Sequence, residues 1–343
     1  MSPKPRISLN IFGKCSITEE IDPKWANFPD ILTSCGFKIV PEYEPGRNHH
    51  IEIEFYRNIK KSKFTKLPPL QNTLVRVEPK VVNPYQYSAE IENMFGNIIF
   101  INPFEHKTEN HHYWKSGYLY DSHFRFQPSN SESRISNSIG FINENKFSLV
   151  NGSNYKKRVK ALLSINTDRY SVHIAGKNWD KGILWQIRSQ LSQWKYISGT
   201  GVGIDLKQLT LPLNLNRQNF IYYGRVSTQL EFLDRYIFTI AIENESSYVS
   251  EKLLNAIFSG ALPLYCGPSL KEYDIPESLV VRYDPSVHDL NQILNKLTLT
   301  ERQRILRECR DWAELESTRD RWHVENGFNR LRTLLKEIIE RNL

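Results

Sequence analysis

Short unbroken apolar runs alternate along the chain with stretches in which apolar residues return every three or four positions. The runs at 7–12 (ISLNIF), 37–40, 74–77 (LVRV), 97–101 (NIIFI), 160–165 (KALLSI), 236–242 (YIFTIAI) and 262–265 predict buried strands. The segment 51–55 alternates apolar and acidic residues, the pattern of a half-exposed strand. Helical spacing predicts helices over 25–35, over 184–194 with Leu184, Ile187, Leu191 and Trp194 on one face, and over 251–259 with Leu253, Leu254, Ile257 and Phe258 inward. Gly36 and Gly260 stand where two of these helices should stop. From 300 to 343 the pattern predicts two long amphipathic helices rich in Arg and Glu. Repeated strand–helix–strand alternation implies an α/β fold with parallel sheets covered by helices.

Composition narrows this only in part. At 343 residues the chain has room for two domains with their own cores, and 40% apolar and 12% aromatic residues exclude a disordered chain. The segment 60–69 reads as a basic, proline-bearing loop, and 127–137 (QPSNSESRISN) as a domain seam or a surface loop. Lys and Arg number 45 against 38 Asp and Glu, leaving +7. That balance suits a nucleotide, a nucleic acid or an acidic glycan without choosing among them. Cys15, Cys35, Cys266 and Cys309 have no CxxC spacing, so neither a zinc ribbon nor a disulfide framework is expected. His49-His50 and His111-His112 are adjacent pairs and lack the i,i+4 spacing of a helical metal site, so no metal is expected there. No run approaches the roughly 20 apolar residues of a membrane span, and the first residues lack the core of an export signal. The expectation is a cytoplasmic protein without stable membrane insertion.

Candidate chemistry is densest at 238–268, FTIAIENESSYVSEKLLNAIFSGALPLYCGP. This reads as strand, polar loop, helix, strand, with Glu243, Asn244, Tyr248, Glu251 and Lys252 at the carboxyl end of the first strand, where open α/β sheets bind ligands. A helix starting at Glu251 offers unpaired N–H groups and a positive dipole end to a phosphate, and Lys252 adds a full charge. The plainer alternative has Ser250 capping the helix, Glu251 complementing its dipole and Lys252 solvated. Two weaker candidates are the aromatic loop of Tyr113, Trp114, Tyr118 and Tyr120, suited to stacking on sugar rings, and the glycine-rich 199–203 (GTGVG), read as a loop after a strand.

The segment 238–268 closely resembles the donor-binding motif of the fucosyltransferases of glycosyltransferase family 10. Phe238, Glu243-Asn244, Tyr248-Val249-Ser250-Glu251-Lys252, Gly260, Pro263, Tyr265 and Gly267 follow its pattern, with Ser250 where Thr is commoner. Leu184 to Arg188 (LWQIR) is similar to the family's L-Y-x-x-R helix, which implies a diphosphate contact for Arg188. Tyr223-Gly224-Arg225 resembles the basic stretch before the motif strand, with Gln229 replacing a Lys often found there. The segment 74–87 (LVRVEPKVVNPYQY) resembles the strand-E-P segment of bacterial members, which implies that Glu78 is the catalytic base. Glu90 and Glu92 compete as carboxylates but lie in a helical stretch outside the motif.

The resemblance implies a GT-B fold, two facing Rossmann-like domains with the active site in the interdomain cleft. Residues 1–152 would bind the acceptor, and 153–343, with the C-terminal helices, the nucleotide sugar. It implies an inverting transfer of L-fucose from GDP-β-L-fucose to a glycan hydroxyl. Arg188, Arg225, Glu243, Asn244, Tyr248, Glu251 and Lys252 would hold the donor, with no metal and no cofactor. The expected partners are a nucleotide sugar and a glycan acceptor, with no nucleic acid; periodicity does not separate C-terminal helices that pack against the body from helices that mediate a dimer. The alternatives are a GT-B enzyme with another nucleotide-sugar donor and, from a different class, a non-catalytic basic protein binding polysaccharide or nucleic acid.

Overall fold

The computed structural model describes residues 4–12, 14–15, 25–41, 44–56, 67–105, 108–130, 133–209 and 220–342. Most of the loop expected at 60–69 lies outside the described residues. The chain forms two compact units. The first comprises Met1–Gly117, Ile197–Val202 and Val324–Leu343; the second comprises Tyr118–Tyr196 and Gly203–His323. The boundary expected between 152 and 153 and the polar stretch 127–137 both fall inside the second unit. Among the described residues no helix is long and apolar enough to cross a membrane.

The first unit is built on β1 (Arg6–Ile11), β2 (Lys14–Cys15), β3 (Lys38–Val40), β4 (His49–Ile53), β5 (Asn72–Arg76), β6 (Asn97–Phe100) and β7 (His111–Tyr113). Their order is β2-β1-β4-β5-β6-β7, with β3 also pairing β1, and every pairing except β1–β2 is parallel. Helices α1 (Phe28–Ser34) and α2 (Ala89–Met94) connect strands, and α11 (Val324–Arg341) returns from the end of the chain. Ring centroids in the aromatic cluster Trp25, Phe28 and Phe328 lie 4.8 to 5.8 Å apart. The Trp114 indole donates to the Gly327 carbonyl at 2.8 Å, and a Cβ on Gly327 would fall 2.4 Å from the Gly117 nitrogen.

The half-exposed strand expected at 51–55 is instead sunk on both faces, because β4 lies between β1 and β5 in a parallel sheet. The alternation therefore carries Glu52 and Glu54 into the interior. Parallel register sets Ser8 beside His50 and Asn10 beside Glu52, and the four form a buried polar chain. Ser8 Oγ and His50 Nδ1 are 2.7 Å apart, His50 Nε2 and Glu52 Oε2 3.2 Å, and Asn10 Nδ2 donates to Glu52 Oε2 at 3.1 Å.

The second unit contains β8 (Ile135–Ile142), β9 (Ser171–Ala175), β10 (Phe220–Tyr222), β11 (Tyr236–Ile242), β12 (Leu262–Cys266) and β13 (Val281–Arg282), all parallel, in the order β10-β9-β8-β11-β12-β13. Its helices are α3 (Asp121–Arg125), α4 (Tyr155–Ser164), α5 (Ile183–Ile197), α6 (Gln229–Leu233), α7 (Glu251–Ser259), α8 (Leu290–Lys296), α9 (Leu299–Glu314) and α10 (Glu316–Trp322). The expected strand at 160–165 belongs to α4. Its buried positions Tyr155, Arg158, Val159 and Leu162 carry a helical period that begins upstream of the apolar run. The loop 199–203 follows α5 rather than a strand, and the C-terminal tail folds as three helices rather than two. Helix α5 forms, but Leu184, Ile187, Leu191 and Trp194 face solvent while Gln186, Gln190 and Ile197 turn inward. Helix α7 matches the expectation closely. Ser250 caps it through the Lys252 N–H, Leu253, Leu254, Ile257 and Phe258 are buried, and Gly260 ends it at φ 71°.

Candidate functional site

Strand order reverses between β8 and β11. The chain runs outward from β8 through β9 to β10, then crosses back to lay β11 on the other side of β8. In doubly wound sheets the crevice at the carboxyl ends of such a pair takes the ligand. Here β8 runs into Asn143, and β11 into Glu243 and Asn244.

Glu243 is fully buried, and its Oε2 accepts from Ser250 Oγ at 2.6 Å. Lys252 Nζ in turn donates to Ser250 Oγ at 2.9 Å, which links the cation to the carboxylate through one hydroxyl. Burial pushes the Glu243 pKa up, while Lys252 and the Ser250 hydrogen bond oppose that shift. Asn244 is fixed from α4: Arg158 Nη2 donates to its Oδ1 and, at 3.2 Å, to the Ile242 carbonyl. Arg158 lies over the Tyr155 ring at 4.4 Å, and burial lowers its pKa against the pull of Tyr155 and Glu243. Tyr248 is buried, and the Tyr118 hydroxyl approaches both its hydroxyl, at 3.5 Å, and the Val249 carbonyl, at 3.3 Å. Glu251 is half exposed, with Oε1 3.9 Å from Lys252 Nζ.

Several buried polar atoms near these strand ends have no hydrogen-bond partner among the described residues. They are both side-chain atoms of Asn143, Asn154 Nδ2, Arg158 Nε, Glu243 Oε1 and the Tyr265 hydroxyl. Buried polar atoms without partners are costly, and water or a ligand can complete them, here as at other places among the described residues. Two glycines permit close packing beside these strand ends. A Cβ on Gly267 would fall 2.2 Å from the Tyr265 hydroxyl; one on Gly176, at φ 121°, would fall 2.1 Å from the Asn143 carbonyl.

Glu243, Asn244, Tyr248, Glu251 and Lys252 thus share one loop and helix start. Arg188 and Arg225 lie on other elements, exposed on α5 and just beyond β10, with no ion-pair partner among the described residues. Glu78 belongs to the first unit, two residues past β5, and is partly buried. Its N–H donates to Glu54 Oε1 at 2.6 Å, and its carbonyl accepts from Gln86 Nε2 at 3.2 Å and the Tyr87 hydroxyl at 3.0 Å. The competing Glu92 is engaged by Arg76 at 3.2 Å.

Sequence reading missed Arg158, Asn143 and Glu54. An arginine in the apolar phase of a helix was the available signal for Arg158. The histidine pairs are structural where the partners are clear: His49 sits 2.8 Å from the Thr73 hydroxyl, and burial takes its pKa down to about 4. No group of three or more His, Cys, Asp or Glu among the described residues is arranged to hold a metal.

Neither a family model nor a curated protein sequence matches the chain. Solved structures do. Anabaena HepE, crystallised with UDP and glucose, aligns over 97% of this chain and 99% of its own at 8% identity and a TM-score of 0.53. An α1,3-fucosyltransferase aligns over 100% of this chain and 91% of its own, at 13% identity and a TM-score of 0.50. A glycosyltransferase from Rickettsia africae aligns over 94% and 84%, at 9% identity and a TM-score of 0.50. At such identities the likeness is one of fold, and the fold is the GT-B glycosyltransferase fold.

Proposed function

We propose that this protein is a nucleotide-sugar glycosyltransferase, and specifically a member of glycosyltransferase family 10 that moves L-fucose from GDP-β-L-fucose to a glycan hydroxyl with inversion. The observation that carries the reading is the Lys252–Ser250–Glu243 relay at the start of α7, with Glu243 Oε1 unpartnered beside it at the switch point. The fucosyltransferase motif that these residues spell supplies the donor.

The second unit takes the donor and the first the acceptor. Lys252 and the positive dipole end of α7 neutralise the diphosphate, with Arg188 and Arg225 adding charge from α5 and the end of β10. Asn244, held by Arg158, works with Tyr248, Glu243 and Glu251 on the sugar and ribose hydroxyls. Glu78 takes the proton from the acceptor hydroxyl as its oxygen bonds to the anomeric carbon. The bond from that carbon to the diphosphate oxygen breaks, and GDP leaves with the electron pair. Fixed cationic groups meet the leaving charge in this scheme, so neither a metal nor a cofactor is called for.

Thermal stabilisation by GDP, GDP-fucose, GDP-mannose, UDP, CMP and ADP, each with and without Mg²⁺ or Mn²⁺, tests the reading. Metal-independent stabilisation by GDP and GDP-fucose is expected, about 2.7 kcal/mol at a hundredfold excess over Kd. Preference for UDP or CMP would replace the donor while keeping the enzyme class. Silence across the panel, together with steeply salt-dependent DNA binding, would favour a binding protein instead.

A further inference from the structure

We propose that Glu54 is the positioning residue for Glu78, a buried ionised carboxylate that clamps the Val77–Glu78 backbone and so aims the Glu78 side chain. The inference rests on the reading of Glu78 as the base.

Glu54 follows β4 immediately, is fully buried and has φ 61°, a left-handed conformation that a glycine would adopt at lower cost. A side chain kept at such a position has work to do there. Its Oε1 accepts from the Val77 and Glu78 N–H groups, each at 2.6 Å, and from Gln86 Nε2 at 3.2 Å. Its Oε2 accepts from Asn83 Nδ2 at 2.9 Å. All four donors are N–H groups, which match a carboxylate. Burial raises the Glu54 pKa, and these four bonds oppose that rise.

The clamp has a second jaw. Gln86 and Tyr87 hold the Glu78 carbonyl, while Asn83 also donates to the Phe55 carbonyl at 3.1 Å. The peptide groups on both sides of Glu78 are therefore fixed. Among the described residues every donor to Glu54 comes from the segment 77–86 that brackets Glu78.

In the full-length chain, Glu54→Gln keeps the volume but sets an amide NH₂ against N–H donors. Fucose transfer from GDP-fucose should fall about 10²-fold in kcat, with donor KM and GDP Kd unchanged within about twofold. Amide exchange at Val77 and Glu78 should quicken by at least about tenfold. Glu54→Asp, which keeps the charge, should recover part of kcat. Unchanged kcat or unchanged exchange in a folded Glu54→Gln protein would overturn the proposal, as would a parallel loss of kcat and GDP affinity. If Glu54→Gln does not fold, Asn83→Leu and Gln86→Met withdraw donors from the other side and are read by the same criteria. Glu78→Ala separates the two ideas. Full turnover in Glu78→Ala ends the base reading and with it the positioning role, whereas an inactive Glu78→Ala beside a fully active Glu54→Gln ends the positioning role alone.

Discussion

Glu54 and Glu243 are both buried carboxylates immediately beyond the end of a parallel strand, one in each unit, and they are answered in opposite ways. Glu243 receives its hydroxyl from Ser250, seven residues on, and keeps one oxygen without a partner among the described residues. Glu54 collects donors 23 to 32 residues away and has both oxygens occupied. The first arrangement is local and unfinished, as suits a group that waits for a ligand. The second is long-range and saturated, as suits a group that holds other residues still.

The largest expected break in this comparison is Glu78→Ala. Turnover should drop about 10² to 10⁴-fold with GDP affinity unchanged, measured by transfer kinetics and calorimetry, because the change touches only the proton acceptor. An equal loss of both would tie Glu78 to donor binding. Next, Arg158→Met strips the Ile242 carbonyl and Asn244 of their donor. Urea unfolding should show a loss of about 2 to 4 kcal/mol, and GDP binding should weaken as Asn244 swings free.

Acid should separate the units by a comparable amount. Burial holds His49 near pKa 4 and drives His50 down too, with Arg47 and His49 adding to the shift. A depressed histidine pKa means that the unfolded chain binds the extra proton first. The stabilisation is therefore complete above pH 6.5 and lost as pH falls towards 4, at most about 3 kcal/mol for His49. Burial of Glu54 and Glu243 acts in the other sense, once in each unit, while burial lowers His123 and His173 in the second unit without taking either to the value that His49 reaches. Site-resolved amide exchange at pH 5 should show the first unit opening before the second; simultaneous opening would contradict this. Smallest is Lys252→Ala, expected to weaken GDP binding about tenfold while the fold keeps its melting temperature within a few degrees. Intact GDP binding would leave Lys252 as part of the helix cap alone.

The same contrast explains what the sequence could reveal. The donor loop was legible because its partners are neighbours in the chain: Ser250 caps the helix that Glu251 begins, and Gly260 closes it nine residues later. The long-range clamp was hidden because the period of 51–55 looks the same for a strand with one face in water and for one sunk on both. Only the pairing of β4 with β1 and β5 decides between them. Arg158 was lost to a related ambiguity, since a short apolar run such as 160–165 fits a strand or a buried helix equally well. Conversely, the spacing of Leu184, Ile187, Leu191 and Trp194 fixed the helix but not the direction in which that face would turn.

The return of the final helix to the first unit has a consequence for the order in which the molecule is made. Once residue 323 has been added, every residue of the second unit has been synthesised, whereas the first still lacks Gly327 and Phe328. Trp25, Phe28 and Trp114 must therefore wait for Gly327 and Phe328, which follow the whole of the second unit, before their cluster can close. The usual sequence of co-translational folding, amino-terminal part first, is inverted, and the older half of the nascent chain is the one left unfinished.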